Sequence, residues 1–122
     1  MNYDLLKELQ EIVESRRAEH EEGSYTAYLF DQGLDKILKK LGEETTETIV
    51  AAKNLEAAKG DAEKEGARTA LEDEAGDMLF HLVVMLDILG IDVDEVEDLL
   101  RERMKKKGNL KESLRAANDN RP

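Results

Sequence analysis

The chain has 122 residues, of which 39% are charged and 40% hydrophobic, with one proline, no cysteine and no tryptophan. This length fits one domain, and the lack of cysteine excludes a disulfide framework and a thiolate metal site. A formal net charge of −11 disfavours nucleic acid and anionic membrane surfaces as partners, because both are bound through clustered lysine and arginine. Without an apolar run long enough to span a bilayer or a signal-peptide pattern, we expect a cytoplasmic, all-α protein.

The first predicted helix carries apolar residues at three- and four-residue spacing: Leu5, Leu6, Leu9, Ile12 and Val13. It gives way to a polar run over residues 18–23. Ser24 or Thr26 then offers an N-cap for a short apolar segment of one or two turns, which Gly33 closes.

Two long helices are predicted to follow. The second long helix carries on one face Leu34, Ile37, Leu38, Leu41, Thr48, Ile49 and Ala52. It is predicted to end near Lys59, and the third to begin after Gly66 and run to Gly90, so that residues 55–69 form a long connection rich in alanine, glutamate and lysine. The main face of the third helix carries Leu71, Met78, Leu79, Leu82, Val83 and Leu86.

The fourth long helix is predicted from its N-terminal signal. Asp92 followed three residues later by Glu95 is typical of a capping box, and the helix is predicted to end at Gly108. The domain organisation that follows is one all-α domain over residues 1–108 and a C-terminal tail over residues 109–122 that is partly disordered.

Four acids stand out because of the flank that they share. At about 100° per residue, Glu44 and Glu47 border the apolar stripe of the second long helix, whereas Glu43 points to solvent. Glu74 and Asp77 border the stripe of the third helix on the corresponding flank. Converging carboxylates repel one another unless a hard cation such as Mg²⁺ neutralises them, and carboxylate-held cations usually serve phosphate chemistry. The alternative is that such pairs are solvated surface, which is common in a chain with 29 acids.

The histidine and lysines near these acids also allow two interpretations. A histidine such as His81 is more often a hydrogen-bonded residue at the edge of a core than a ligand in a carboxylate site. At most, we expect it to contact a metal ligand and not the metal itself. Lys36, Lys39 and Lys40 are either phosphate-binding cations or ion-pair partners of the glutamates one turn further along the same helix.

The third helix also predicts self-association. Nearly every residue between Met78 and Leu89 is apolar, and Phe80, Val84 and Ile88 lie away from the main stripe. A helix that is apolar on all sides must be buried on all sides, which four helices achieve with difficulty. We therefore predict a two-fold homodimer, a dimeric helical bundle, with these three residues at the interface.

Three segments together carry a family resemblance: Ser24-Tyr25-Thr26, LDKILKKLGEETTETIVAAKN and DEAGDMLFHLVVML. They resemble the phosphoribosyl-ATP pyrophosphatases of the all-α nucleotide pyrophosphatase superfamily, which includes the MazG-like enzymes, and the resemblance spans most of the chain. The superfamily pattern E-x-x-E followed by E-x-x-D is matched by Glu44, Glu47, Glu74 and Asp77. Arg16 lies where the phosphoribosyl-ATP branch tends to place an arginine.

The resemblance implies Mg²⁺-dependent hydrolysis of phosphoribosyl-ATP to phosphoribosyl-AMP and pyrophosphate in histidine biosynthesis, by a homodimer. The four acids are then the catalytic metal ligands, with Glu44 or Glu47 as the general base. Substrate-binding roles fall to Arg16, Tyr25, Thr26, Lys36, Lys39 and Lys40, with the two hydroxyls meeting phosphate or ribose, while His81 supports the site. Two alternatives stay open: a pyrophosphatase of the same superfamily that removes unwanted nucleoside triphosphates, and a non-enzymatic helical interaction module.

Overall fold

The computed structural model of the protein describes residues 4–106, which contain five helices and no strand. The helices are α1 (Leu5–Glu19), α2 (Tyr25–Gln32), α3 (Leu34–Ala57), α4 (Asp61–Ile88) and α5 (Val93–Met104). The predicted all-α class is confirmed, and none of these helices is long and apolar enough to cross a membrane. The tail predicted over residues 109–122 lies outside the described residues.

The chain divides into two compact units, Met1–Ile91 and Asp92–Pro122. The first contains α1 to α4. In the described part of the second, Asp92 caps α5: its carboxylate accepts from the Asp94 N–H at 2.8 Å, and its own N–H donates to Glu95 Oε2 at 3.1 Å. The predicted capping box is therefore present. The helix ends at Met104, before the predicted end at Gly108.

A sharp corner joins α2 to α3. Ser24 caps α2 by accepting from the Ala27 N–H at 3.2 Å. At the other end, the Gly33 N–H donates to the Leu29 carbonyl at 3.0 Å, and the Gly33 carbonyl accepts from the Ile37 N–H at 3.2 Å. Gly33 has φ 90°, a conformation that favours glycine, so one residue ends one helix and begins the next. The corner holds α2 against α3.

The long connection predicted over residues 55–69 is wrong. α3 continues to Ala57 and α4 begins at Asp61, so only residues 58–60 separate the two helices. Alanine, glutamate and lysine are strong helix formers, and a single interior glycine such as Gly66 costs only about 1 kcal/mol relative to alanine. The chain turns instead at Gly60, whose φ of 80° a non-glycine side chain rarely adopts.

The seam between α3 and α4 differs from the predicted stripes. On α3 the buried and half-buried positions alternate by four and three: Ile37, Leu41, Glu44, Thr48, Ala51 and Leu55. On α4 they do the same: Ala67, Leu71, Glu74, Met78, His81, Met85 and Ile88. This is the heptad spacing of packed helices. Leu38, Ile49 and Leu79, which the sequence placed on the core faces, are 43%, 61% and 41% exposed.

The core of the first unit includes one residue that the sequence predicts at a dimer interface. Val13, Leu29, Ile37, Val83 and Val84 are all at most 1% exposed. Val84 is therefore buried within a single chain, and its predicted place at a dimer interface is wrong. The apolar run of α4 is explained in part by this one-chain burial, because α4 packs against α1 as well as α3.

A buried polar cluster ties α1 to the end of α4. Gln10 is 2% exposed, and its Nε2 donates to the Ile91 carbonyl at 3.0 Å. Arg17 donates to Asp87 Oδ2 at 3.4 Å, and its guanidinium lies 4.4 Å from the centre of the Phe30 ring. Since buried polar groups require partners, this cluster fixes the position of α1 relative to α4.

Candidate functional site

Three of the four predicted acids converge in the middle of the α3–α4 seam. Glu44 from α3 and Glu74 and Asp77 from α4 each offer a carboxylate oxygen, and these oxygens lie within 4.8 Å of one another. Glu74 and Asp77 are three residues apart and therefore share one face of α4. We call these residues, together with Glu47, the carboxylate cluster.

The cluster contains unsatisfied acceptors. Glu44 Oε2 and Glu74 Oε2 are buried and have no hydrogen-bond partner among the described residues. Leaving a buried acceptor unpaired destabilises a fold, so such atoms usually mark a place where a bound ion or water supplies the missing partner. Carboxylate oxygens are the ligands that hard divalent cations prefer. The donor set therefore fits a metal ion of this type.

Glu47 joins the cluster through its electrostatics. Its pKa is raised above the usual value by a hydrogen bond with Glu74 and by the negative charge of Glu74. The pKa of Glu74 is also raised: a hydrogen bond with Glu47 lowers it, but this effect is outweighed by a hydrogen bond with Glu44, by desolvation and by neighbouring negative charge. Without a cation, mutual repulsion makes these two carboxyls keep their protons to higher pH than an isolated glutamate does.

His81 lies one turn after Asp77 and is 4% exposed. Its Nδ1 is 2.7 Å from the Asp77 carbonyl oxygen, and its Nε2 is 2.8 Å from the Tyr25 hydroxyl oxygen. The Tyr25 ring packs near the rings of Tyr28, Phe80 and His81, with centroids 6.1, 6.1 and 5.8 Å away. Protein atoms therefore engage both ring nitrogens of His81, and three aromatic rings contact Tyr25, which is 45% exposed.

The Tyr25 hydroxyl has both a lysine and members of the carboxylate cluster as electrostatic neighbours. Burial raises the pKa of Tyr25, the positive charge of Lys40 opposes the shift, and the nearby acids add to it. Lys40 Nζ is 3.6 Å from Glu43 Oε2, so part of the ion-pair interpretation holds, at a spacing of three residues rather than four. Lys36, one turn earlier, is half-buried, and Lys39 is exposed.

A surface pocket of about 470 Å³ adjoins Tyr25 on the side of α1. Its lining includes Arg16, Gly23, Ser24, Tyr25, Thr26 and Phe80. Arg16 is about half exposed, with Nη1 4.0 Å from Glu21 Oε2, whereas Thr26 is 8% exposed. Three residues predicted to bind substrate, Arg16, Tyr25 and Thr26, thus share this pocket, and Tyr25 connects it to the carboxylate cluster.

Sequence reasoning gave Phe80 no place in the site, although its ring packs on Tyr25 and lines the pocket. Its position three residues after Asp77, on the same helical face, is the signal that points to it. A second, smaller pocket of about 300 Å³ extends from Glu47 and Glu74 along the seam, where Ala51 and Ala70 leave space.

Comparisons with known proteins agree with this geometry. The family model described as phosphoribosyl-ATP pyrophosphohydrolase matches residues 6–104. Phosphoribosyl-ATP pyrophosphatase from Streptococcus thermophilus is 42% identical over 106 residues, which cover 87% of this chain and 91% of that protein. The enzyme of that name from Limosilactobacillus fermentum is 49% identical over 98 residues, or 80% and 82% of the two chains. The histidine biosynthesis bifunctional protein HisIE of Bacillus subtilis is 42% identical over 83% of this chain and 43% of its own.

Proposed function

Because the chain belongs to the phosphoribosyl-ATP pyrophosphohydrolase family, we propose that it hydrolyses phosphoribosyl-ATP to phosphoribosyl-AMP and pyrophosphate in histidine biosynthesis. The observation that carries this proposal is the convergence of carboxylate oxygens from Glu44, Glu74 and Asp77 beside a pocket that holds Arg16. Acids that hold a cation next to a basic group are what a triphosphate requires, because its own charge must be neutralised before water can attack.

Glu44, Glu74 and Asp77 are the residues that would hold Mg²⁺. A bound Mg²⁺ would stabilise negative charge on the phosphate oxygens and lower the pKa of a coordinated water. Glu47 is exposed at the edge of the cluster, where it can accept the proton of the water that attacks the α-phosphorus. The pyrophosphate then leaves with the bridging oxygen.

Cationic side chains on either side of Tyr25 divide the phosphates between them. Lys40, with Lys36 one turn away, is an electrostatic neighbour of Tyr25, and Arg16 lies in the adjoining pocket with Glu21 and Glu22. Phosphoribosyl-ATP carries a triphosphate and a separate 5′-phosphate, so cations at two separate places, Lys40 and Arg16, match its two anionic groups. A chain with a net charge of −11 needs such local cations to admit this substrate.

Pyrophosphate release from phosphoribosyl-ATP, measured against dUTP, dCTP and ATP with Mg²⁺, tests the assignment. We expect phosphoribosyl-ATP to be the preferred substrate and Glu74→Gln to lose at least about a hundredfold in rate, or about 2.7 kcal/mol in barrier. Glu72→Gln is the matched control, because Glu72 is exposed and lies about 200° away around the helix. Preference for dUTP or dCTP would assign the chain to the other nucleotide pyrophosphatases, and unchanged turnover in Glu74→Gln would remove the metal site.

We further propose that the enzyme is a cytoplasmic homodimer. Four large apolar side chains on α3 and α4, Leu38, Ile49, Val50 and Leu79, are between 41% and 61% exposed. Leu38 and Ile49 are 11 residues apart, about three helical turns, and so lie on one face. Gly42 lies between them with open space around its Cβ position. A second copy of the chain that packs on this outer face of α3 would bury Leu38 and Ile49.

A further inference from the structure

The position of one hydrogen atom follows from the partners of His81. The Asp77 carbonyl oxygen, 2.7 Å from Nδ1, can only accept a hydrogen bond, so Nδ1 carries a hydrogen. In the neutral imidazole the other nitrogen, Nε2, then has a lone pair and no hydrogen. The Tyr25 hydroxyl, 2.8 Å from Nε2, must therefore donate to it. The order of donation is from Tyr25 to His81 and from His81 to the backbone of Asp77.

This order determines what Tyr25 can offer to the site. A phenol hydroxyl can donate one hydrogen bond, and here it donates that bond to His81 Nε2. The oxygen keeps its lone pairs, and its electrostatic neighbours are the Lys40 ammonium and the carboxylates of Glu44 and Asp77. Tyr25 is 45% exposed, and the hydrogen bond with His81, together with the contacts to three aromatic rings, holds the hydroxyl oxygen at this place.

We infer that His81 is a positioning residue that makes the Tyr25 hydroxyl a hydrogen-bond acceptor beside the carboxylate cluster. Tyr25 then recognises a hydrogen-bond donor of the substrate, a sugar hydroxyl, and not a phosphate. Phosphate oxygens at neutral pH only accept, and an acceptor cannot bind them. Of the two partners that the sequence allowed for Tyr25, phosphate and ribose, only ribose fits this geometry. The phosphates are left to Arg16 and the lysines.

The hydrogen positions can be measured directly by nitrogen NMR of the full chain at pH 8. The chain has only two histidines, so His20→Gln assigns the His81 signals without ambiguity. We expect a protonated Nδ1 and an unprotonated Nε2, with the Nε2 shift changing in Tyr25→Phe. Hydrogen on Nε2, either as the other tautomer or in the imidazolium form, would overturn the inference.

Kinetics with phosphoribosyl-ATP test the role of the contact. An asparagine at 81 keeps a donor near the Asp77 carbonyl but cannot reach Tyr25, whereas a glutamine can place its carbonyl oxygen near the position of Nε2. We expect His81→Asn and Tyr25→Phe each to raise KM about five- to twentyfold with little change in kcat, because the contact holds the substrate equally before and during the reaction. His81→Gln should recover most of this loss.

The double variant separates positioning from general damage. If His81 acts through Tyr25, Tyr25→Phe combined with His81→Asn should be no worse in kcat/KM than the weaker of the two single variants. Additive losses, or a fall in kcat at unchanged KM, would contradict the inference.

The kinetic part of this inference depends on the proposed function, whereas the NMR part does not. If the unmodified enzyme fails to cleave phosphoribosyl-ATP, the proposed function fails even though the hydrogen positions of His81 can still be as inferred. If it cleaves phosphoribosyl-ATP but His81 carries hydrogen on Nε2, only the inference about Tyr25 fails.

Discussion

Replacing Glu44 by methionine should make the metal-free protein more stable while it removes activity. Glu44 occupies a seam position between Leu41 and Thr48, and its Oε2 is buried without a partner. An unsatisfied buried polar atom costs about 1–3 kcal/mol, which an unbranched apolar side chain of similar length would recover. For a domain of about 100 residues, each kcal/mol shifts Tm by about 4–8 °C, so we expect Tm to rise by about 5–20 °C.

Thermal unfolding in EDTA and in millimolar Mg²⁺, followed by circular dichroism, measures this effect. The unmodified protein should gain about 2.7 kcal/mol from Mg²⁺ at a hundredfold excess over its dissociation constant, and Glu44→Met should gain almost nothing. Pyrophosphate release by the variant should fall to background.

Glu43→Met is the matched control. It removes the same charge from the adjacent residue, but Glu43 is exposed and pairs with Lys40 on the surface, where an ion pair contributes about 0–1 kcal/mol. Relief of general charge repulsion would stabilise both variants alike. A metal-free Glu44→Met protein that melts no higher than Glu43→Met, or a Mg²⁺-induced rise in Tm that survives in Glu44→Met, would refute the assignment of Glu44 to the metal site.

Three further predictions concern protons and assembly. In EDTA the free energy of unfolding should decrease as pH rises from the usual glutamate range through the raised pKa values of Glu47 and Glu74, because the folded state holds their protons more tightly. Saturating Mg²⁺ should remove this decrease. A free energy of unfolding that increases over the same pH range in EDTA would contradict the prediction. Gly42→Ala should stabilise the separate chain by up to about 1 kcal/mol but shift the dimer toward monomer in sedimentation, so an unchanged dimer would argue against packing through the outer face of α3. A hydrogen bond with Asp31, and the negative charge of Asp31, raise the pKa of His20. The contribution of this pair to the stability of the fold is therefore complete below the usual histidine pKa and is lost as pH rises through the raised value. An NMR titration should show a lower His20 pKa in Asp31→Asn, and equal pKa values in the two proteins would exclude the pair.

The parts of the fold that depend on neighbouring residues could be predicted from the sequence. The cap at Asp92, the glycine corner at Gly33 and the placement of Glu74 beside Asp77 all follow from residues within one helical turn. The predicted connection over residues 55–69 is wrong because the strong helix formers around Gly66 outweigh the cost of one glycine inside a helix. Whether a glycine ends a helix depends on its φ, which the sequence does not contain.

The register of the α3–α4 seam could not be predicted from apolar periodicity. Apolar periodicity places Ile49 in the core and Glu44 at its border, which rotates the predicted buried face of α3 toward Ile49. In the structure Glu44 and Thr48 lie in the seam, and Ile49 is 61% exposed. The contact between Tyr25 and His81 joins residues that are 56 positions apart, and no local pattern reports it.

The position of Glu44 in the α3–α4 seam explains both the error in the predicted buried face of α3 and the formation of the carboxylate cluster. A one-residue shift along an α-helix rotates a side chain by about 100°, so Glu44 can meet Glu74 and Asp77 in only one register of α3 against α4. Small side chains at Ala51 and Ala67 in the same seam permit close approach of the two helices. The acids destabilise this register without a cation and stabilise it with one, so we expect cation binding to select the active alignment of the two helices. Hydrogen exchange of α3 and α4 amides should therefore slow on addition of Mg²⁺ in the unmodified protein and not in Glu44→Met, and equal slowing in both would place the coupling elsewhere.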